Sequence, residues 1–189
     1  MTVVGSREEY FETGLGVLEE IGYAGFKLAE VCDRLGVTTG SFYHRFSNWP
    51  DFTHELARYW VEQYPNRWAA TLRAETDPRR RLAMLAERVK TMPHRTEVAI
   101  RTWAAVDPEV HTILSHVDQQ RFDLVCETVL GILHDPNRAR MFASWSTYLR
   151  IGYQQALIPQ DTAALDWAVD RFVDAVYSGP EPPAAAPGA

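Results

Sequence analysis

The sequence predicts an all-α protein, with a small N-terminal three-helix domain joined through a fourth helix to a larger helical domain. Three observations carry this expectation. Apolar residues recur at helical spacing along most of the chain, and no alternating apolar–polar segment of useful length occurs. Proline and glycine fall where helices should start and stop, including the pairs Asp77-Pro78, Asp107-Pro108 and Asp135-Pro136, in which Asp can cap and Pro can take the first helical position. The stretch from Phe26 to Phe52, FKLAEVCDRLGVTTGSFYHRFSNWPDF, reads as two short amphipathic helices about a turn at Leu35-Gly36-Val37, followed by the start of a third.

Composition narrows the function classes. The chain has 189 residues, 46% of them hydrophobic, enough for a core in one large domain or two small ones. The opening lacks the charged and apolar regions of a signal peptide, and no apolar run approaches the ~18–20 residues that span a bilayer, so a cytoplasmic protein without membrane partners is expected. Cys32 and Cys126 form no CxxC and fall on apolar helix faces, so neither a disulfide nor a zinc site is expected. His111 and His116 are five apart, the wrong spacing for two metal ligands on one helix face. Serine, histidine and aspartate occur without a nucleophile elbow, metal spacing or phosphate loop, so the chain is expected to be neither an enzyme nor a cofactor binder. Net charge is −6, and residues 1–60 carry five bases against nine acids. That balance weighs against a strongly basic nucleic-acid clamp.

Taken in order, Ser6–Arg7–Glu8–Glu9 reads as a capping box. The first helix places Phe11, Leu15, Leu18 and Ile21 on one face, with Gly14 and Gly16 inside it and Gly22 as its C′ residue. The second, from about Leu28 to Arg34, buries Leu28, Val31, Cys32 and Leu35; Gly36 can take a positive φ in the turn. Thr38 caps the third, with Phe42 and Phe46 facing inward. Asn48-Trp49-Pro50-Asp51 caps the fourth, which carries Phe52, Leu56, Tyr59 and Trp60 and should kink or end at Pro65. Further helices are expected from Pro78 to Met92, near Thr96–Ala105, from Pro108 to Leu133, from Pro136 to Leu157 and after Asp161, nine in all. The GPEPPAAAPGA tail from Gly179 should be disordered. The expected domains are 1–48, 49–178 and a tail of 179–189.

Residues 6–56 resemble the tetracycline-repressor (TetR) family of bacterial regulators. The family pattern Gly-Val-Ser/Thr-x-Gly-Ser/Thr-apolar-Tyr-x-x-Phe is met at Gly36, Val37, Thr38, Gly40, Ser41, Phe42, Tyr43 and Phe46. The resemblance implies a helix-turn-helix whose second helix enters the DNA major groove. On it, Gly40 would let the backbone approach a phosphate or base edge. Thr39, Ser41 and His44 would face outward, and Tyr43 would put its hydroxyl on a phosphate. Thr38, Lys27 and Trp49 complete the expected DNA-binding set. Two departures stand out: Lys27 replaces the family's usual Ser or Thr cap, and Trp49 replaces a usual phosphate-binding Lys, so that Trp49 could stack on a sugar or plug the joint at the fourth helix.

The same resemblance implies a homodimer through the last two helices, presenting two reading heads to a palindromic operator. Phe142, Trp145, Leu149, Gly152, Leu165, Phe172 and Val176 are the dimer-facing candidates, each reading equally well as core of its own chain. It also implies a ligand chamber among the middle helices, for which Met84, Met92, His94, Trp103, His111, Trp145, Tyr148 and Tyr153 are the candidates, each being also of a type common in ordinary core. The expected function is a DNA-binding transcription regulator, a repressor released from its operator by a small apolar or aromatic ligand. The alternative is a helical small-molecule-binding protein of the same fold with weakened or lost operator binding.

Overall fold

The computed structural model describes residues 5–178, and the expectation for the tail lies outside them. Within them the chain forms ten α-helices and one π-helical turn. These are α1 (Arg7–Gly25), α2 (Leu28–Leu35), α3 (Thr39–Tyr43), α4 (Trp49–Val61), the π turn (Glu62–Asn66), α5 (Arg67–Ala74), α6 (Pro78–Thr91), α7 (His94–Ala104), α8 (Pro108–Leu133), α9 (Pro136–Gln155) and α10 (Thr162–Ser178).

The caps are where local chemistry puts them. Ser6 Oγ accepts from the Glu9 N–H at 3.1 Å while the Glu9 carboxylate accepts from the Ser6 N–H at 2.5 Å, closing the capping box. Asn48, Asp77 and Asp135 accept from the first-turn N–H groups of α4, α6 and α9. Gly22 sits at φ 71°, and the helical path of α1 breaks there as expected. At Pro65, where the helix is expected to kink or end, α4 gives way to the π turn, which accommodates the missing N–H, and the chain continues as α5, so nine expected helices become ten among the described residues.

Contacts group the described residues into two compact units. The first takes the chain up to Trp68 and again from Pro93 to Val117; the second takes Ala69 to Met92 and the chain from Asp118 onward. In the first, α1 packs on α2, α4 and α7 around a core that includes Tyr10, Leu18, Val31, Phe42, Phe52, Leu56 and Trp60, each at most 2% exposed. In the second, α6 and α10 pack together, and Leu82, Val129, Phe142, Ala143, Phe172 and Val176 form the core with the later part of α8. Phe142, Leu165, Phe172 and Val176 are buried within their own chain, each at most 6% exposed, which is the core reading of the two that the sequence allows.

The two interior glycines of α1 differ in what surrounds them. A Cβ on Gly14 would lie 3.0 Å from Leu56 Cδ2 and 3.4 Å from Phe52 Cζ, so Gly14 sets how closely α1 approaches α4. A Cβ on Gly16 meets nothing within 4 Å. Gly16→Ala should accordingly raise stability by about 0.5–1 kcal/mol, the ordinary helix-propensity gain, whereas Gly14→Ala should give no such gain. Chemical denaturation of the two variants checks this; equal gains would contradict the packing described.

Candidate nucleic-acid interface

The turn between α2 and α3 is built as a helix-turn-helix requires. Gly36 takes φ 69°, ψ 31°, the left-handed region that suits glycine, and its N–H donates to the Asp33 carbonyl at 3.2 Å. The Val37 N–H donates to the Cys32 carbonyl at 3.0 Å. Thr38 is extended, and its Oγ1 accepts from the Ser41 N–H at 3.2 Å, starting α3.

Phe42 anchors the reader from beneath. Its ring is wholly buried and lies 5.8 Å from Tyr10, 5.1 Å from Phe46 and 5.4 Å from Phe52. Phe46 lies beyond the end of the short α3 but is still turned inward at 3% exposure. Arg7 fastens the far end of this segment. Its guanidinium donates to the Arg45 carbonyl at 2.5 Å, pairs with Glu55 and stands 4.3 Å over the Phe46 ring. Nothing local in the sequence marks that role, because the partners are 38 and 48 residues away.

With Phe42 fixed inward, the outer side of α3 presents Thr39, Gly40, Tyr43 and His44, all exposed, with Tyr43 at 54%. Thr38 is exposed, but its hydroxyl is occupied as the cap. Ser41 corrects the expected outward set: it is 9% exposed and its Oγ lies 3.1 Å from Thr38 Oγ1. Adjacent residues on a helix are only ~100° apart, so Ser41 is drawn in beside Phe42 and faces the turn. Trp49 is half-buried, with ring centroids 4.9 Å from Phe26 and 5.1 Å from Phe52; its indole plugs the joint where α4 begins.

Most of the domain's positive charge is spent internally. Arg34 is paired with Glu20 at 2.6 Å and Glu30 at 2.7 Å, Arg7 with Glu55, and Arg58 with Glu109. Among the described residues up to 60, Lys27 and Arg45 make no ion pair, and both are exposed. Lys27 stands at the N-cap of α2 without a side-chain capping bond, as its chemistry implies.

Residues 11–49, which span this reader, match the family model for bacterial regulatory proteins of the tetR family. Over these residues the chain is similar to the tetR family of regulators. The whole fold is shared with known regulators as well. It superposes on a transcriptional regulator from Rhodococcus sp. Rha1 with a TM-score of 0.71 at 20% identity, covering 93% of this chain and 97% of that one. A putative transcriptional regulator from Saccharomonospora viridis in complex with choline gives 0.73 at 16% identity, covering 89% and 95%. The Bacillus subtilis regulator FadR in complex with stearoyl-CoA gives 0.68 at 12% identity, covering 93% and 100%. No curated protein matches the chain in sequence.

The tetR-type reader is accompanied by residues expected to bind a ligand, and these do not gather in one place. His94, Trp103 and His111 belong to the first unit. Trp103 is a core residue there, 2% exposed and stacked 5.6 Å from Tyr23, while His94 is half-buried and His111 exposed. Met84, Met92, Trp145 and Tyr148 belong to the second unit. Met92 is buried, Met84 half-buried, and Trp145 packs on Phe142 and Phe172 with 40% of its surface exposed. The second unit does hold a pocket of about 400 Å³ between the end of α9 and the start of α10, lined mainly by apolar residues including Tyr148, Leu149, Gly152, Tyr153, Ile158 and Leu165. Of the expected ligand residues, Tyr148 and Tyr153 line it. Leu149, Gly152 and Ile158 were not singled out as ligand residues, because an aliphatic pocket wall and an aliphatic core face have the same sequence signature.

One further cluster ties α4 to the start of α8. Asp107 Oδ1 accepts from the Glu109 and Val110 N–H groups at 3.0 and 3.1 Å. Its Oδ2 lies 3.1 Å from His54 Nε2 and accepts from Trp103 Nε1 at 3.3 Å. The other ring nitrogen of His54 lies 3.0 Å from Glu109 Oε2. Burial pushes the Asp107 carboxyl up, but the bonds from the Val110 N–H, His54 and Trp103 outweigh it and hold the group below the usual aspartate value. Among the described residues no cluster of three or more His, Cys, Asp or Glu could hold a metal ion, and no helix is long and apolar enough to cross a membrane.

Proposed function

We propose that this protein is a one-component transcription regulator that binds a palindromic DNA operator as a homodimer. In this reading a small apolar or aromatic ligand releases it, so that it acts as a repressor in the cytoplasm. The observation that carries the reading is the outward set on α3, Thr39, Gly40, Tyr43 and His44, with Lys27 and Arg45 unpaired beside it on a tetR-type scaffold. Tyr43 is the phosphate contact and Thr39 and His44 are the base-edge readers. With few cations available, hydroxyl contacts and the pairing of two heads supply the affinity that charge does not.

The dimer surface is proposed from what the second unit leaves uncovered. Met141, Trp145, Tyr148 and Gly152 repeat at helical spacing along α9 and are exposed, and Trp167 and Tyr177 are exposed on α10. Such a stripe suits a second copy of the same two helices. Light scattering should give twice the chain mass, and Tyr148→Glu should shift it towards monomer; a concentration-independent monomer would contradict the assembly.

The ligand proposal rests on the pocket at the α9–α10 end and on the two ligand-bound neighbours. Choline and stearoyl-CoA differ greatly, so the shared fold leaves the ligand class to the pocket, whose lining here is mainly apolar. Release follows if the ligand binds the conformation with mismatched head spacing more tightly than the DNA-bound one, transmitted through α4. An effector that binds free and DNA-bound protein equally well would overturn this mechanism.

The low count of free cations favours one other reading, a ligand-binding protein that keeps the fold with weakened operator affinity. Fluorescence anisotropy on labelled operator DNA separates the two. Tyr43→Phe should weaken binding to all sequences alike, whereas Thr39→Ala and His44→Ala should relax preference at particular base pairs, each by about 1–3 kcal/mol. Equal, sequence-independent losses from all three would mean that α3 does not read bases.

A further inference from the structure

The first unit contains a cleft of about 320 Å³ that the DNA-reading function does not use. Glu12, Leu15, Gly16 and Glu19 of α1 form one wall, Trp60 and Tyr64 another, and Pro93 and Thr96 close it. Its described lining therefore holds two carboxylates, two aromatic rings and no base. Glu12 is held in place by phenols: Tyr59 donates to its Oε1 at 2.5 Å and Tyr64 to its Oε2 at 3.3 Å. Neutral phenols orient a carboxylate without cancelling its charge. Thr96 is 5% exposed, and its side chain makes no hydrogen bond to another described residue.

We propose that this cleft binds a small organic cation, an ammonium group carried on an apolar or aromatic body. Glu12 and Glu19 lie seven residues apart on α1, a rise of roughly 10 Å, with Gly16 between them. That separation is too great for both to ligate one metal ion at the ~2.3–2.6 Å that calcium requires, but it frames an ammonium and its first carbons. Thr96 Oγ1 accepts an N–H from the guest, and the Trp60 and Tyr64 rings supply apolar surface and π faces that favour a cation. The field in the cleft is registered by Tyr64, whose phenol is pushed above the usual tyrosine value by burial first, then by the Glu12 charge and hydrogen bond, then by Glu19. Gly16 keeps the space open, since an added Cβ there meets nothing within 4 Å. The site is independent of the DNA-reading proposal and stands or falls on direct binding.

Calorimetric titration of the full chain at low salt with 2-phenylethylammonium, and with neutral 2-phenylethanol as its match, tests it. The ammonium should bind and the alcohol should bind roughly tenfold more weakly or not at all. Added salt should weaken the ammonium, because both carboxylates are exposed to solvent. Glu19→Gln should cost roughly tenfold, Thr96→Val should weaken binding, and Gly16→Leu should plug the cleft and abolish it in a chain that still melts cooperatively. Glu19 is exposed and makes no ion pair among the described residues, so its variant carries the test even if Gly16→Leu does not fold. Absence of binding into the millimolar range, equal binding of the alcohol, or ammonium binding indifferent to Glu19→Gln would overturn the proposal.

Discussion

Replacing Phe42 with alanine should destabilise the first unit by about 3–5 kcal/mol and abolish DNA binding with it. The ring is completely buried where α1, α3 and α4 meet, within 6 Å of Tyr10, Phe46 and Phe52. The rings of Tyr10, Phe46 and Phe52 around it are rigid and cannot extend to fill the space. The short α3 has no other fully buried apolar side chain, so losing Phe42 frees the reading helix from its support. Urea unfolding followed by tryptophan fluorescence measures the loss, and a cost below about 1 kcal/mol would mean the site collapses in a way ordinary cores do not. Tyr10 provides the contrast. Its buried hydroxyl has no partner, so Tyr10→Phe in the same cluster should be neutral or mildly stabilising.

Asp107→Ala should have the next largest effect, about 2–4 kcal/mol, because one side chain serves four donors from three parts of the first unit. It caps α8 through two N–H groups and also holds His54 of α4 and the Trp103 indole. The linkage sign follows from the direction of its shift. The folded carboxyl titrates below its ordinary value, so its contribution is fully present above the unfolded pKa near 3.9. It is lost as pH falls through the folded value. Asp107→Asn retains a capping oxygen but cannot titrate, so its stability should fall less steeply than that of the natural chain below about pH 4. Parallel acid limbs in the two proteins would show that Asp107 is not responsible.

What could be read in the sequence was what is decided within a few residues. The capping box at Ser6 and Glu9, the Asn48, Asp77 and Asp135 caps and the turn at Gly36 all formed as their chemistry dictates. The reader was legible for that reason, since its turn, its cap and its inward phenylalanines are local. Ser41 was not, because a five-residue helix gives too little periodicity to fix its phase at the edge of the core. Pro65 announced a disturbance in α4 but could not say whether the helix would stop or widen into a π turn. Ion pairs such as Arg34 with Glu20, which decide how much charge is left for DNA, join residues 14 apart whose meeting depends on packing. The ligand candidates were the least legible. Methionine and aromatic residues serve core and pocket alike, and Trp103 was spent on the core whereas Tyr148 reached a pocket.

The central claim, that Thr39, Gly40, Tyr43 and His44 form the reading face of a DNA-binding dimer, is tested most directly by selecting bound duplexes from a random pool with the full-length chain at low salt. The account predicts enrichment of a palindromic site whose half-sites lie one helical turn or more apart, with preference lost at particular positions in the His44→Ala protein. A pool that stays random at low salt, or that enriches equally with Phe42→Ala, would contradict it.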